Sequence, residues 1–376
     1  MARSIRIGAA LIGVLATLFA LHVQLNLGGW PRFLKRAGSG GQARGELLVG
    51  FLPVTCHLTC PVTSWVTSHS ARGSVFRSKK YTEFATIAEE FKSGQLKASF
   101  ILAPLAMTLR RQGVPIKIVY LGHRDGTTLI VGKDSRIRSF ADLRGKTIAI
   151  PHRYSNQRIL LERQMERAGL SAQNLKMVVY PPPEMPSALQ KHAVDAYIVG
   201  EPFAAKAEME GYGRVLAFTK DLWPNFISCV LAVREDLIRS DRSLVQELVD
   251  GIAASGRWID APGQDLAVGV HRAEEGVSET PAVAIVPSGW DANHRSQAAA
   301  IASRKEYYNQ QPELLRFVLS KPPDRVRYTG LTPARSDFEE IQRYAEKLGY
   351  FQPPTPGDPF GFQDYCDTTF AIAATR

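Results

Sequence analysis

The chain has no acidic residue before Glu46. Over the same stretch it carries Arg3, Arg6, Arg32, Lys35, Arg36 and Arg44. With these six charges taken from the formal total of +10, the rest of the protein is only +4. The basic balance therefore belongs to the N-terminal region, and it does not form the clustered basic stripe that nucleic-acid binding needs. Cysteine is also scarce, at four in 376 residues. A structural zinc site needs about four ligands at a recognised spacing, and no second Cys/His cluster accompanies Cys56, His57 and Cys60. No metal and no cofactor are expected. Internal repeats and low-complexity tracts are absent. Charged residues make up 22% against 45% hydrophobic, which excludes a disordered chain.

The apolar run over 7–21 follows Arg3 and Arg6, the layout of a secretory signal. It falls short of the about 20 apolar residues of a membrane span. His22, Gln24 and Asn26 are uncharged, however, so an anchor reaching Leu27 remains open. Residues 1–27 are thus expected to be a signal peptide or an N-terminal membrane anchor, with any anchorage through residues 7–27. Residues 28–45, with Gly28, Gly29, Pro31, Gly38, Gly40, Gly41 and Gly45, read as a linker. The remainder would then be periplasmic, or held on the inner membrane facing the periplasm. In that oxidising compartment Cys56 and Cys60 are near enough in sequence to bridge.

The folded part starts at Glu46. Short apolar runs over 47–52, 98–102 and 116–121 read as buried strands. Between them, Phe84, Ile87, Ala88 and Phe91 recur at helical spacing before Gly94, and Pro104 opens a helix that Gly113 stops. Strand–helix alternation of this kind predicts a parallel α/β sheet. Residues 54–80 read as a loop or weak helix. A second α/β unit follows, with strands over 128–131, 146–150, 176–179 and 195–199 and helices over 156–168, 184–192 and 202–210. A strand over 226–234, an amphipathic helix over 241–259 and further helical pieces complete the chain. The expected fold is α/β, a bilobed clamshell of two α/β lobes joined by crossing strands at 128–131 and 226–233. Lobe 1 would span 46–132 and return over 226–350, lobe 2 would span 133–225, and 351–376 would be a C-terminal tail whose stretch 351–366 lies on the surface.

Solutes in such folds bind beyond the carboxyl ends of strands. Three strand ends qualify. The first carries Thr55, His57, Thr59 and Cys60, whose hydroxyls and imidazole suit a polar solute. The second is the junction at Ala103 and Pro104, where a helix N-terminus would offer free N–H groups. The third holds Ser155 and Asn156, either of which can cap the following helix. Glu201, at the Gly200-Glu201-Pro202 corner, is equally suited to a solute and to a purely structural role at a helix start. Cys60 with His57 is the only local nucleophile–base pair, and no orienting third group is identified, so no enzyme is expected.

Val178-Val179-Tyr180-Pro181-Pro182-Pro183-Glu184-Met185 and Val194-Asp195-Ala196-Tyr197-Ile198-Val199-Gly200-Glu201-Pro202-Phe203 resemble the nitrate/sulfonate/bicarbonate/taurine group of ABC-transporter periplasmic substrate-binding proteins. The nitrate-binding branch is the nearest likeness. Phe91-Lys92-Ser93-Gly94-Gln95-Leu96 with Leu102-Ala103-Pro104, Asp142-Leu143-Arg144-Gly145-Lys146, and Ala232-Val233-Arg234 fit the same group. The resemblance implies a type II periplasmic-binding-protein fold. It also implies capture of a small anionic or polar solute for an importer, with ABC permease and ATPase subunits as partners. Where nitrate binders carry a Met-His pair this chain has Tyr154-Ser155-Asn156, and where they carry a Lys it has Cys229. Cys229 joins the candidate solute residues on that alignment. Losing the ammonium removes the simplest counter-charge for nitrate. The group also contains ligand sensors, one alternative reading, and a thiamine-pyrimidine enzyme branch whose Cys-rich motif residues 56–60 do not reproduce.

Overall fold

The computed structural model describes residues 47–69, 76–171, 174–261, 293–353 and 360–375. The expected signal or anchor and the linker lie outside them. Among the described residues no helix is long and apolar enough to cross a membrane. In chain order the strands are Leu47–Phe51 (β1), Phe76–Lys80 (β2), Ala98–Leu102 (β3), Ile116–Leu121 (β4), Arg124–Asp125 (β5), Thr127–Gly132 (β6), Thr147–Ile150 (β7), Lys176–Val179 (β8), Ala196–Gly200 (β9), Gly213–Phe218 (β10), Cys229–Arg234 (β11) and Val326–Arg327 (β12). Four helices matter to the site: Thr59–Ser68 (α1), Phe84–Ser93 (α2), Ala103–Arg111 (α3) and Asn156–Arg167 (α4).

Two mixed five-stranded sheets form two lobes, ordered β2-β1-β3-β11-β4 and β10-β6-β9-β7-β8. In the first, β1 pairs parallel with β2 and β3, while β11 runs antiparallel to both β3 and β4. The inner strands are buried, as their apolar runs require when helices cover both faces. Each fully buried Leu, Ile, Val or Phe contributes roughly 1.5–3 kcal/mol. Helix α2 ends where expected, on Gly94 at φ 76°, a left-handed position that glycine adopts without strain. Helix α4 starts where Ser155 accepts the N–H of Arg158 at 3.2 Å.

Three expectations change. Over 54–80 the weak-helix alternative holds as α1, and the departure is the edge strand β2. In β2 only Phe76 is buried, and Lys79 and Lys80 line an edge, so no apolar run betrays it. The segment 128–131 is not a crossing strand, because β6 lies inside the second sheet, paired with β9 and β10. The chain crosses instead through residues 122–126 and 225–228. These run side by side: Asp125 N donates to Phe226 O at 2.7 Å, and Gly122 N to Cys229 O at 2.9 Å. Finally, the described part of 351–366 does not lie wholly on the surface. Phe351, Phe360, Tyr365 and Cys366 are buried, Phe360 and Tyr365 rings lie 5.4 Å apart, and Cys366 bridges Ile118 of β4.

Candidate functional site

The site grows from the loop after β1. Pro53 cannot continue the ladder, and the chain turns through a short 3-10 helix at Thr55–His57 before α1. Tyr308 and Tyr328 hold this loop from beneath: their hydroxyls donate to Val54 O at 2.5 Å and Thr55 O at 2.9 Å. From the second lobe, Thr55 N donates to Glu201 O at 2.6 Å, so the Gly-Glu-Pro corner abuts the loop. The start of α4 closes the other side. Asn156 Nδ2 donates to Ile227 O, and Gln157 Nε2 donates to Ser228 Oγ at 2.9 Å. Ser228 in turn lies 3.8 Å from Cys229 Sγ, which meets Cys56 Sγ at 2.9 Å.

A continuous polar path thus runs from α4 of one lobe to the first loop of the other. Every member is buried, yet several atoms along it have no protein partner: His57 Nε2, His123 Nδ1, Asn156 Oδ1 and Gln157 Oε1. Buried polar atoms in folded proteins are almost always paired, with protein, water or ligand, which makes this group of atoms the candidate site. Asn156 Oδ1 is fixed as an acceptor because its amide nitrogen already donates to Ile227 O. A neighbouring cavity of about 220 Å³ is walled by Asn156, Trp223, Phe226, Asn225, Asp337 and Ile341. Asp337 there is neutralised by Arg124, whose Nη2 lies 3.0 Å from Oδ2.

The titrating groups have unequal environments. Burial pushes the Cys56 thiol well up, and its bond with Cys229 and that residue's charge add to this. Burial also opposes charge on Cys229, but the Cys56 S–H donated to it, together with His57 and Ser228, outweighs burial and lowers that thiol to about 6. Burial holds His123 down at about 3.

Cys56, His57 and Cys229 place their donor atoms within 4.8 Å of one another, a grouping the sequence conceals because Cys229 is far along the chain. The imidazole limits what this cluster can hold. His57 Nδ1 accepts the N–H of Leu52 at 2.7 Å, so the neutral ring carries its proton on Nε2. Nε2 is then a donor, and a neutral imidazole in that state offers no lone pair to a metal.

The expected site residues separate. His57, Asn156, Cys229 and Thr55 belong to the path, Thr55 Oγ1 lying 3.4 Å from His123 Nε2, whereas Thr59 is buried at the start of α1, off the path. Ser155 is buried and spent on capping α4. Ala103 does not offer a free N–H, because β11 lies beside β3 and Ser228 O accepts it at 3.0 Å; Pro104 has none to offer. Cys60 is a core thiol in α1, and burial raises it strongly. Cys56 and Cys60 do not bridge: all four cysteines are free and buried. Glu201 is engaged by protein alone: Oε1 accepts from Thr128 at 2.7 Å and Arg325 at 2.8 Å, and Oε2 from Ala205 N at 2.8 Å. Sequence reading missed Cys56 as a site thiol, His123, Gln157 and Ser228. Gln157 and Ser228 sit directly beside residues it did name, and extending those motifs by one position would have found them.

Two lobes with a return strand inserted antiparallel into the first sheet define a type II periplasmic-binding-protein fold, and solved structures agree. A ligand-binding component of an ABC-type import system from Staphylococcus aureus, solved with zinc bound, matches at TM-score 0.70 and 22% identity over 87% of this chain and 98% of that one. The periplasmic nitrate-binding protein of Synechocystis matches at TM-score 0.70 and 14% identity over 88% of each chain. Residues 41–268, more than half of the chain, match the model of the NMT1-like family, and the chain belongs to it. Among curated proteins, the nitrate import ATP-binding protein of Synechocystis sp. is 24% identical over 62% of this chain. The chain spans only 38% of that relative's length. The likeness to nitrate-type binding proteins read from residues 178–203 therefore holds, at low identity.

Proposed function

We propose that the chain is the extracytoplasmic solute-binding component of an ABC-type importer, closing its two lobes on a small polar solute. The observation that carries this is the set of unpartnered buried polar atoms on both lobes, from His57 to Asn156 and Gln157. Similarity to proteins named as import components and periplasmic binders supports it. The chemistry favours a solute with N–H groups over a bare anion. Asn156 Oδ1 requires a donor, because its amide nitrogen is already committed to Ile227 O. Nitrate, which offers no N–H, is disfavoured on this count. Binding without catalysis is the coherent reading: His57 Nε2 already holds its proton and cannot act as a base toward Cys229.

A thermal-shift screen of amides, ureas, pyrimidines, sulfonates and small inorganic anions tests this. A genuine solute binds the folded state and raises Tm by mass action, roughly as a 2.7 kcal/mol stabilisation at a hundredfold excess over Kd. At least one N–H-bearing solute is expected to shift Tm more than nitrate does. A panel in which nothing shifts, or nitrate shifts most, contradicts the proposal.

A further inference from the structure

Three segments meet at the floor of the site. Gly122, just beyond β4, sits so close that a Cβ there would approach Cys56 O to 2.3 Å and Cys229 O to 3.0 Å. This glycine draws the backbones of residues 56 and 229 together across 173 positions of sequence. Their thiols face each other at 2.9 Å, inside ordinary sulfur–sulfur contact, with the Cys56 S–H directed at Cys229. Both are buried, so no third thiol competes once the fold is made. Ser228 Oγ and the His57 imidazole flank Cys229, placing two polar groups where a thiolate would be stabilised.

We infer that Cys56 and Cys229 are a redox pair that closes into a disulfide, fastening the loop after β1 to the first residue of β11. The oxidant is a disulfide of the glutathione class, met during folding in an oxidising compartment. Cys229 thiolate attacks one sulfur of that disulfide and expels a thiolate. Cys56, deprotonated as it reacts, then attacks Cys229 sulfur in the mixed disulfide and expels the second thiolate. Two protein thiols are oxidised to one disulfide, one small disulfide is reduced to two thiols, and the two thiol protons leave with the expelled thiolates. The crosslink joins segments of one lobe, so it leaves opening of the cleft free. It also removes the ionisable thiol beside Ser228 and Gln157. The pairing stands independently of which solute binds.

The test is to unfold the full chain in urea with reductant, refold it in a glutathione redox buffer, alkylate, and map peptides by mass spectrometry. The expected result is a peptide containing Cys56 crosslinked to one containing Cys229, with Cys60 and Cys366 alkylated. Cys229→Ser should leave Cys56 alkylated. Native chain treated with dithiothreitol should lose several degrees of Tm, on the order of 5 °C, a loss absent in Cys229→Ser. Four alkylated cysteines in the refolded wild type, or a Cys56–Cys60 crosslink, would overturn the inference. A solute screen that finds nothing leaves this result untouched, so the two proposals fail separately.

Discussion

Two buried polar clusters flank the first loop, and they differ in how fully they are satisfied. Around Glu201, both carboxylate oxygens accept protein hydrogen bonds, and Arg325 spans Glu201 and Glu208 at 2.8 Å each. Glu201 and Arg325 side chains are 0% and 1% exposed. Across the loop, the path from His57 to Gln157 is equally buried but, among the described residues, leaves His57 Nε2, His123 Nδ1, Asn156 Oδ1 and Gln157 Oε1 unpartnered. A saturated cluster is what a fold needs in order to tolerate charge in its interior. An unsaturated one costs stability unless something fills it. The first is architecture, and the second is where we propose that the solute binds.

The sharpest way to break this contrast is to strip one partner from each cluster. Arg325→Met leaves Glu201 charged and buried, and should cost about 3–5 kcal/mol, measured by urea unfolding. Adding Glu201→Gln should restore part of the loss, because the orphaned charge goes with it. If Arg325→Met proves neutral, Glu201 is not the structural group described above. Acid should act on the other side. His123 is held at about 3, below its ordinary 6.5. Between those values the unfolded chain binds the proton and the folded chain does not. Stability should therefore fall as pH drops from 6.5 towards 3, by about 1.4 kcal/mol per pH unit from this residue alone. His123→Gln should flatten that slope, and an unchanged slope would assign it to other groups. Gly122→Ala should cost about 1–3 kcal/mol through the forced approach to Cys56 O. The smallest effect is expected for Gln157→Leu, about 1 kcal/mol, because the lost bond to Ser228 Oγ at 2.9 Å is partly offset by removing an amide oxygen that has no partner.

Local signals made much of the fold legible. Apolar runs marked β1, β3, β4 and β11, and Gly94 and Ser155 marked helix ends by their own conformational and hydrogen-bonding preferences. The edge strand β2 escaped because a charged edge has no apolar run. The C-terminal segment escaped because its Pro and Gly content suggested a surface, while Phe360 and Tyr365 found partners in the core. The site was half legible. His57, Asn156 and Cys229 stood at strand or helix ends, where a rule about sheet topology points. The Cys56–Cys229 contact and the Arg325–Glu201 pair were not, since each joins residues more than a hundred positions apart. No local pattern encodes such a pairing.

The most direct test measures equilibrium affinity, by calorimetric titration, of the solute that most raises Tm in the screen. Wild type, Asn156→Ala and Gln157→Leu would be compared, with Lys92→Ala, in the exposed Lys92–Glu89 pair at the end of α2, as control. Loss of a buried polar contact to a solute should weaken binding at least about tenfold in both path variants, with the control unchanged. Equal affinity in all four proteins would contradict the assignment of the His57-to-Gln157 path as the solute site.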